Sequence, residues 1–428
     1  MMKRFPSLLA LLILGALAAL AGTAPTLAAT ADPIPNDGIS DATAAIQSRL
    51  DALAATGGEL DLPPGQYLVA GSLRVPSAVA LRGSWIAPHH GSEWKKGTTL
   101  LITGGRDNET GPAAIQLEAD AAVEGLTLLW PKETWDDIRP YPWAIRGLGK
   151  HITVQNVTLV NAYQGIDVGE DGSLHLIRNV FGLALRRGIL VDRTTDIGRI
   201  EDVHFNPHYW LGSGHPSASA SSPQAAGRSP FRTVSDFLTA NLEAFIFARS
   251  DWEYVLNTFV WGAKSGYLFV KSDHGACNGQ FLGIGADYCR ACVQIDSIQE
   301  IGIQVTNGEF TAFAGDPNSA IVTAPGAGGA AQFVNCNFWG VHDHAAWLQG
   351  DTQVTLANCH ICAGGGDVFA DRGRLIVQGC GFNLSGKSDV VLHPDVKAAI
   401  LMGNLQPGGF KVDNGIGPKA QIGLNEAP

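Results

Sequence analysis

Charge is scarce in this sequence, and most of it is acidic. Only 16% of the 428 residues are Asp, Glu, Lys or Arg, and 29 basic against 40 acidic side chains leave a formal net charge of −11. A surface so short of lysine and arginine has no general means of holding a polyanion, so nucleic acid is excluded as a partner. With 45% hydrophobic residues the chain is equally unlike a disordered one. Long apolar runs are missing beyond the N-terminus, so no later segment is fit to span a bilayer. Cysteine is sparse and confined: seven residues, an odd number, all between Cys277 and Cys380.

Two Cys-x-x-Cys pairs, Cys289 with Cys292 and Cys359 with Cys362, suggest zinc, but their flanks are unlike zinc knuckles. Cys336, Cys359 and Cys380 instead recur 23 and 21 residues apart in the contexts NCNF, NCHI and GCGF. That spacing predicts small buried thiols stacked in a repeating coil, with no metal.

The first residues read as an address. Lys3 and Arg4 precede an apolar run from Leu8 to Ala21, and Thr26-Leu27-Ala28 or Ala29-Thr30-Ala31 offers a small-residue cleavage site. A signal peptide over residues 1–31 is expected, giving a secreted or periplasmic product. A membrane anchor is the alternative, and the run is short for one.

What is abundant is repetition. Segments of the form apolar-x-apolar-x-Asn-apolar recur at ITVQNVTL, LHLIRNVF, GRIEDVHF, EYVLNTFV, FVNCNF and TLANCHI, and Asn156, Asn179 and Asp202 are each 23 residues apart. A period near 23 with alternating apolar residues describes short strands stacked coil on coil. The recurring Asn suits a tight left-handed turn and can bond its counterpart one coil away. The expected fold is an all-β, single-stranded parallel β-helix. In that register Gln155, Arg178 and Glu201 stack outside, so Arg178 with Glu201 reads as an ion pair, or Glu201 as a catalyst. Upstream, DATAAIQSRLDALAA (Asp41 to Ala55) carries a helical stripe, with Ser40 or Asp41 as N-cap and Gly57-Gly58 as terminator. Such a helix suits the open end of a solenoid.

The segment Asn36 to Trp85, with DGISDATAAIQ followed by GGELDLPPGQY, resembles the opening of the pectate lyase superfamily and of family 28-related glycoside hydrolases. The resemblance implies a right-handed parallel β-helix acting on polysaccharide. It leaves the reaction open, because that fold hosts hydrolases, lyases, epimerases and tailspikes. The polygalacturonase-type motifs Asn-Thr-Asp, Asp-Asp, Gly-His-Gly and Arg-Ile-Lys do not occur here in order. The nearest fragments are Arg199-Ile200-Glu201 and Asp273-His274-Gly275. The expected organisation is residues 32–85 as cap helix and first strands, then 86–428 as β-helix, with inserted loops near 128–147 and 211–249.

Ionisable and aromatic residues crowd between Tyr163 and Trp210. Three coils contribute in turn: Tyr163 with Gln164; Arg186 with Arg187; then His204, Asn206, His208 and Trp210. Such a patch suits a sugar chain, with aromatics as platforms and Arg or Asn as clamps. Asp167 and Asp192 count to adjacent coils at roughly 8 Å, inside the window of an inverting carboxylate pair. Each has an ordinary alternative: Asp167 as a solvated strand residue, Asp192 as the cap of a turn running to Asp196. If the 211–249 insertion folds over the patch, Asp251 and Glu253 arrive beside Glu201 and His204, with Trp252 either in the core or in the groove. Trp130, Trp135 and Trp143, from the other insertion, either wall the groove or pack their loop.

The first functional expectation is a polysaccharide-degrading glycoside hydrolase drawing two carboxylates from Asp167, Asp192, Asp196, Glu201, Asp251 and Glu253, without a cofactor. The second is a uronate lyase, with Arg187 or His204 as base and Ca²⁺ between acids such as Asp192 and Asp196. The third is a non-catalytic adhesin or tailspike-like binder.

Overall fold

The computed structural model describes residues 33–88, 94–219, 222–362, 366–386 and 388–427. The expected signal segment, 1–31, lies outside the described residues. The unit Pro35–Pro428 is a right-handed parallel β-helix of about 15 turns.

Each coil lays down three strand segments, and every strand-to-strand pairing along the three stacked sheets is parallel. In the first sheet Thr153, Leu176 and Arg199 are in register, as are Gln155, Arg178 and Glu201. Alternation sends Val154, Ile177, Ile200 and Val255 into the core, where they are buried. The Arg178 guanidinium donates to Glu201 at 2.7 Å, so this outer ladder holds the ion pair that the repeat predicts.

Between the first and second sheets the chain turns through a left-handed residue. Asn156, Asn179, Asp202, Asn257, Asn307, Asn335 and Asn358 all have φ between 50° and 56° there. Asn179 Nδ2 donates to Asn156 Oδ1 at 2.9 Å, so each side chain tolerates the unusual φ and ties adjacent coils together. Gly283, Gly379 and Gly403 take the same place, with positive φ, in other coils.

All seven cysteines are free thiols, and all but Cys362 are buried. Cys336, Cys359 and Cys380 stack in successive coils, the amide after each later one donating to the carbonyl of the one before.

Helix Thr43–Leu53 buries Ile46 and Leu50. It starts later than its sequence suggests because Asp37–Asp41 is a strand pairing with Gly65–Val69. Asp41 still receives the Thr43 N–H on its carboxylate, and Gly57 and Gly58 follow with positive φ as expected. Among the described residues no helix is long and apolar enough to cross a membrane.

Candidate active site

The long connections leave the barrel at one corner. Residues 103–114, 130–142 and 206–242 all join the second sheet to the third, and 84–97 emerges at the first turn. Residues 84–88 and helix His208–Leu211 lie over the outer face of the second sheet in its N-terminal coils. Trp85 stacks on Phe181 at 6.0 Å and its indole N–H donates to Thr158. Tyr209, in helix His208–Leu211, packs edge-on against Phe181 and His204. The 211–249 insertion also reaches the 128–147 insertion, through Ser222 N–H to Asp136 and Arg228 over the Trp135 ring.

The residues singled out from the sequence fall into separate places. His204 is enclosed by Tyr209 and Phe259, and the Tyr209 hydroxyl lies 3.0 Å from its Nδ1. Asn206 accepts the His208 N–H and starts the short helix. Trp210 was expected as a sugar platform; it is instead fully buried, with its indole N–H on Ser217, so no ligand meets its ring. Trp130 and Trp135 are likewise buried, packed inside their loop, and offer no open ring face as a sugar platform. Exposed His208 stacks on Phe231.

Tyr163, Arg186 and Arg187 meet at the corner leading into the third sheet. Arg187 bridges Glu109 and Gln164, and Arg186 pairs with Glu243, which also takes Lys264. Burial, then the nearby Glu109, raises the Tyr163 phenol above its usual pKa. Close by, Glu133 is buried, accepts only the Arg139 amide, and is pushed by desolvation to a pKa of about 8.

The acids near the third turn are committed to local structure. Asp167 pairs in register with Leu190, so Asp192 does lie one coil on and two residues along. Asp167 is nearly buried beside Arg146 at 3.0 Å, and desolvation raises its pKa. Asp192 Oδ1 accepts from Arg193 N, Arg249 N and Ser272 Oγ, the bonds of a turn cap. Asp196 is exposed and accepts its neighbour's amide. Asp251 is held by both terminal nitrogens of Arg249 and by Gln299. Trp252 takes a left-handed φ of 55° and its N–H bonds Asn278.

Glu253 corrects the expectation most sharply. Its side chain points into the coil interior, fully buried, 3.0 Å from His175 and bonded by Ser250. The insertion therefore does not bring it beside Glu201 and His204; Glu201 belongs to the first sheet's outer ladder and His204 to the second sheet. A carboxylate sealed in the core reaches no substrate.

The sequence reading passed over the open part of the second sheet's outer face, just beyond the 206–242 insertion. Trp261, Asp287 and Thr311 are in register, and so are Phe259, Gly285, Glu309 and Asn337. Val260, Ala286 and Phe310 between them point inward and are buried, which turns Asp287 and Glu309 outward. They stand one coil and two residues apart, roughly 8 Å between backbones. Burial raises the Asp287 pKa, with Glu309 adding to the effect, and Asp287 Oδ1 is buried without a partner. Glu309 is exposed and accepts the Trp339 indole N–H at 2.9 Å. Around the acids, Trp261 and Tyr288 stack at 4.7 Å with planes 3° apart, and Tyr288 meets Phe313 edge-on. Phe313 and Trp339 remain 40% and 39% exposed, unusual for such large apolar side chains.

The overlooked signal was register. Aligning Gly283 with Asn307 as equivalent turn residues puts Gly285 over Glu309 and Asp287 over Thr311. Among the described residues no group of three or more His, Cys, Asp or Glu side chains is arranged to hold a metal ion.

No protein-family model and no curated protein matches the chain. Solved structures resemble it in fold. The A-module of a mannuronan C-5 epimerase from Azotobacter vinelandii, AlgE6, aligns over 92% of this chain and 96% of its own, at 13% identity and a TM-score of 0.41. The catalytic unit of a GH87 alpha-1,3-glucanase from Streptomyces thermodiastaticus aligns over 89% and 68%, at 12% and 0.41. DFA-IIIase from Arthrobacter chlorophenolicus, without its lid, aligns over 92% and 97%, at 10% and 0.42. Each is a similarity of fold alone.

Proposed function

We propose that the chain is an exported, carbohydrate-active enzyme, and more specifically a glycoside hydrolase whose carboxyl pair is Asp287 and Glu309. The observation that carries this reading is the pair itself: two outward acids one coil apart, in unlike surroundings, bordered by exposed aromatic rings. Sugar rings present C–H faces that stack on Trp and Tyr, while hydroxyls face the polar row of Glu309, Asn337 and His360.

The unlike surroundings divide the roles. Asp287, with its pKa raised by burial, keeps its proton longer and protonates the glycosidic oxygen as the C–O bond breaks. Glu309, on the exposed side, takes a proton from the water that attacks the anomeric carbon from the opposite face. With backbones roughly 8 Å apart and both side chains turned outward, the pair is placed to admit that water between the carboxyl groups, as inversion of configuration requires. The chemistry calls on the two carboxyl groups and water.

Incubation of the purified chain with a panel of neutral and uronic polysaccharides tests the proposal. New reducing ends without an ultraviolet-absorbing product are expected, and Asp287→Asn or Glu309→Gln should each lower the rate by about 10²- to 10⁴-fold. An unsaturated, absorbing product would replace hydrolysis with elimination. Undiminished activity in both variants would move the chemistry elsewhere.

A further inference from the structure

We propose that the open face carrying the acids is closed at its N-terminal end, so that the protein engages glycan chains by an end and releases one or two sugars at a time. This rests on the carboxyl pair proposed above and adds a direction and a product size to it.

The closure is built from packed side chains. On the outer face of the second sheet, Thr99, Thr127 and Thr158 are all buried. Trp85 covers the face at Phe181, and Tyr209 covers it from Phe181 to His204. The last element of the wall is helix Pro230–Asn241, whose Phe231 lies 5.1 Å from Trp261.

Beyond Trp261 the face opens. The later connections at the same corner, 312–318 and 339–343, are short, and Asn337 and His360 are exposed. A glycan lying along the helix axis can therefore extend toward the C-terminal coils and is stopped by the wall in the other direction.

The distance from wall to acids limits the product. Trp261 is the direct neighbour of Asp287 in the next coil, and Glu309 lies one coil further. One to two coil spacings, ~5 to 10 Å, accommodate one or two rings between the Phe231–Trp261 contact and the bond being cut. The Trp261 ring, held against Phe231 and Tyr288, marks the closed end of the site.

Two measurements decide the matter. In a time course on a polysaccharide that the chain cleaves, the earliest products should be monosaccharide or disaccharide, with slow loss of viscosity. The double substitution His208→Ala with Phe231→Ala should lengthen the products. Medium-length oligosaccharides in the first turnovers of the unsubstituted chain would overturn the closed end. The second measurement is calorimetric binding of short oligosaccharides carrying a bulky fluorophore at one end or at the other. One labelled series should bind about tenfold or more weakly than the other; equal affinity would overturn the proposal. Strong asymmetric binding without turnover would remove the hydrolase reading and uphold the closed end, whereas no binding by any glycan would remove both.

Discussion

Replacing Glu253 by alanine should cost the fold more than any surface change, and the interior of the coil shows why. His175 and Glu253 are both entirely buried, with Nε2 3.0 Å from Oε1. Nδ1 donates to the Gly172 carbonyl, which has no proton to give, so the ring carries a proton at Nδ1 and shares another with the carboxylate. Ser250 donates to the second carboxylate oxygen at 2.7 Å. Gly198 makes room for the pair: a Cβ there would fall 2.1 Å from His175 Cε1. Burial alone would make the imidazole less basic, but the Glu253 charge and the two hydrogen bonds outweigh it and raise the pKa. A raised histidine pKa stabilises the fold fully below the unfolded value of about 6.5, and the contribution fades as pH rises through the folded value. Removing Glu253 leaves the buried imidazole to shed its proton and strips Nε2 and the Ser250 hydroxyl of their partner, and breaking such a pair costs ~3–5 kcal/mol. Substituting both partners by apolar residues, His175→Leu with Glu253→Met, should recover most of that loss, since neither charge then remains in the core. Urea unfolding at about pH 6, where the pair is fully formed, measures both variants. A loss below ~0.5 kcal/mol for Glu253→Ala, the size of an ordinary surface substitution, would refute the argument; so would a double variant less stable than Glu253→Ala.

Glu133 offers a second pH signature of opposite chemical origin. Its folded pKa of about 8, against 4.5 as a free carboxyl, means the folded chain keeps a proton that the unfolded chain has lost. The associated stability is complete below the lower value and drains away as pH rises to the upper one, so Glu133→Gln should flatten that part of a melting-temperature profile. Asn179→Ala forfeits both the easy left-handed φ of 53° and the bond to Asn156. It should cost about 2–3 kcal/mol in urea unfolding, while Asn179→Gly loses only the bond, about 1 kcal/mol. Trp261→Ala removes the ring stacked on Tyr288, and glycan affinity read by calorimetry should fall about tenfold with the unfolding midpoint little changed.

The architecture was legible because its cause is periodic. A left-handed turn filled by Asn156, Asn179 and Asp202 and inward Val or Ile at alternate positions repeat visibly at 23 residues, and the Arg178–Glu201 contact follows from register alone. The site was less legible for two physical reasons. The coils whose period is clearest are those whose second-sheet face the insertions cover, so the dense ionisable stretch from Tyr163 to Trp210 largely supports those insertions. In the coils that stay open, glycine replaces asparagine at Gly283 and the spacing varies, which hides Asp287 and Glu309 from a count of periods. Direction was also hidden: Glu253 lies next to two outward-looking residues in sequence, yet the bend at Trp252, with φ of 55°, turns it inward.

Of the seven thiols, Cys362 alone has partial contact with solvent, and its place is informative. It follows Ile361, which pairs with Phe338, and so continues the row of Thr311 and Trp339 one coil further along the open face. A maleimide dye would thus attach at a single native position, on the open face where the proposed site lies. The fold therefore supplies its own fluorescent sensor of occupancy, with no cysteine to add or delete.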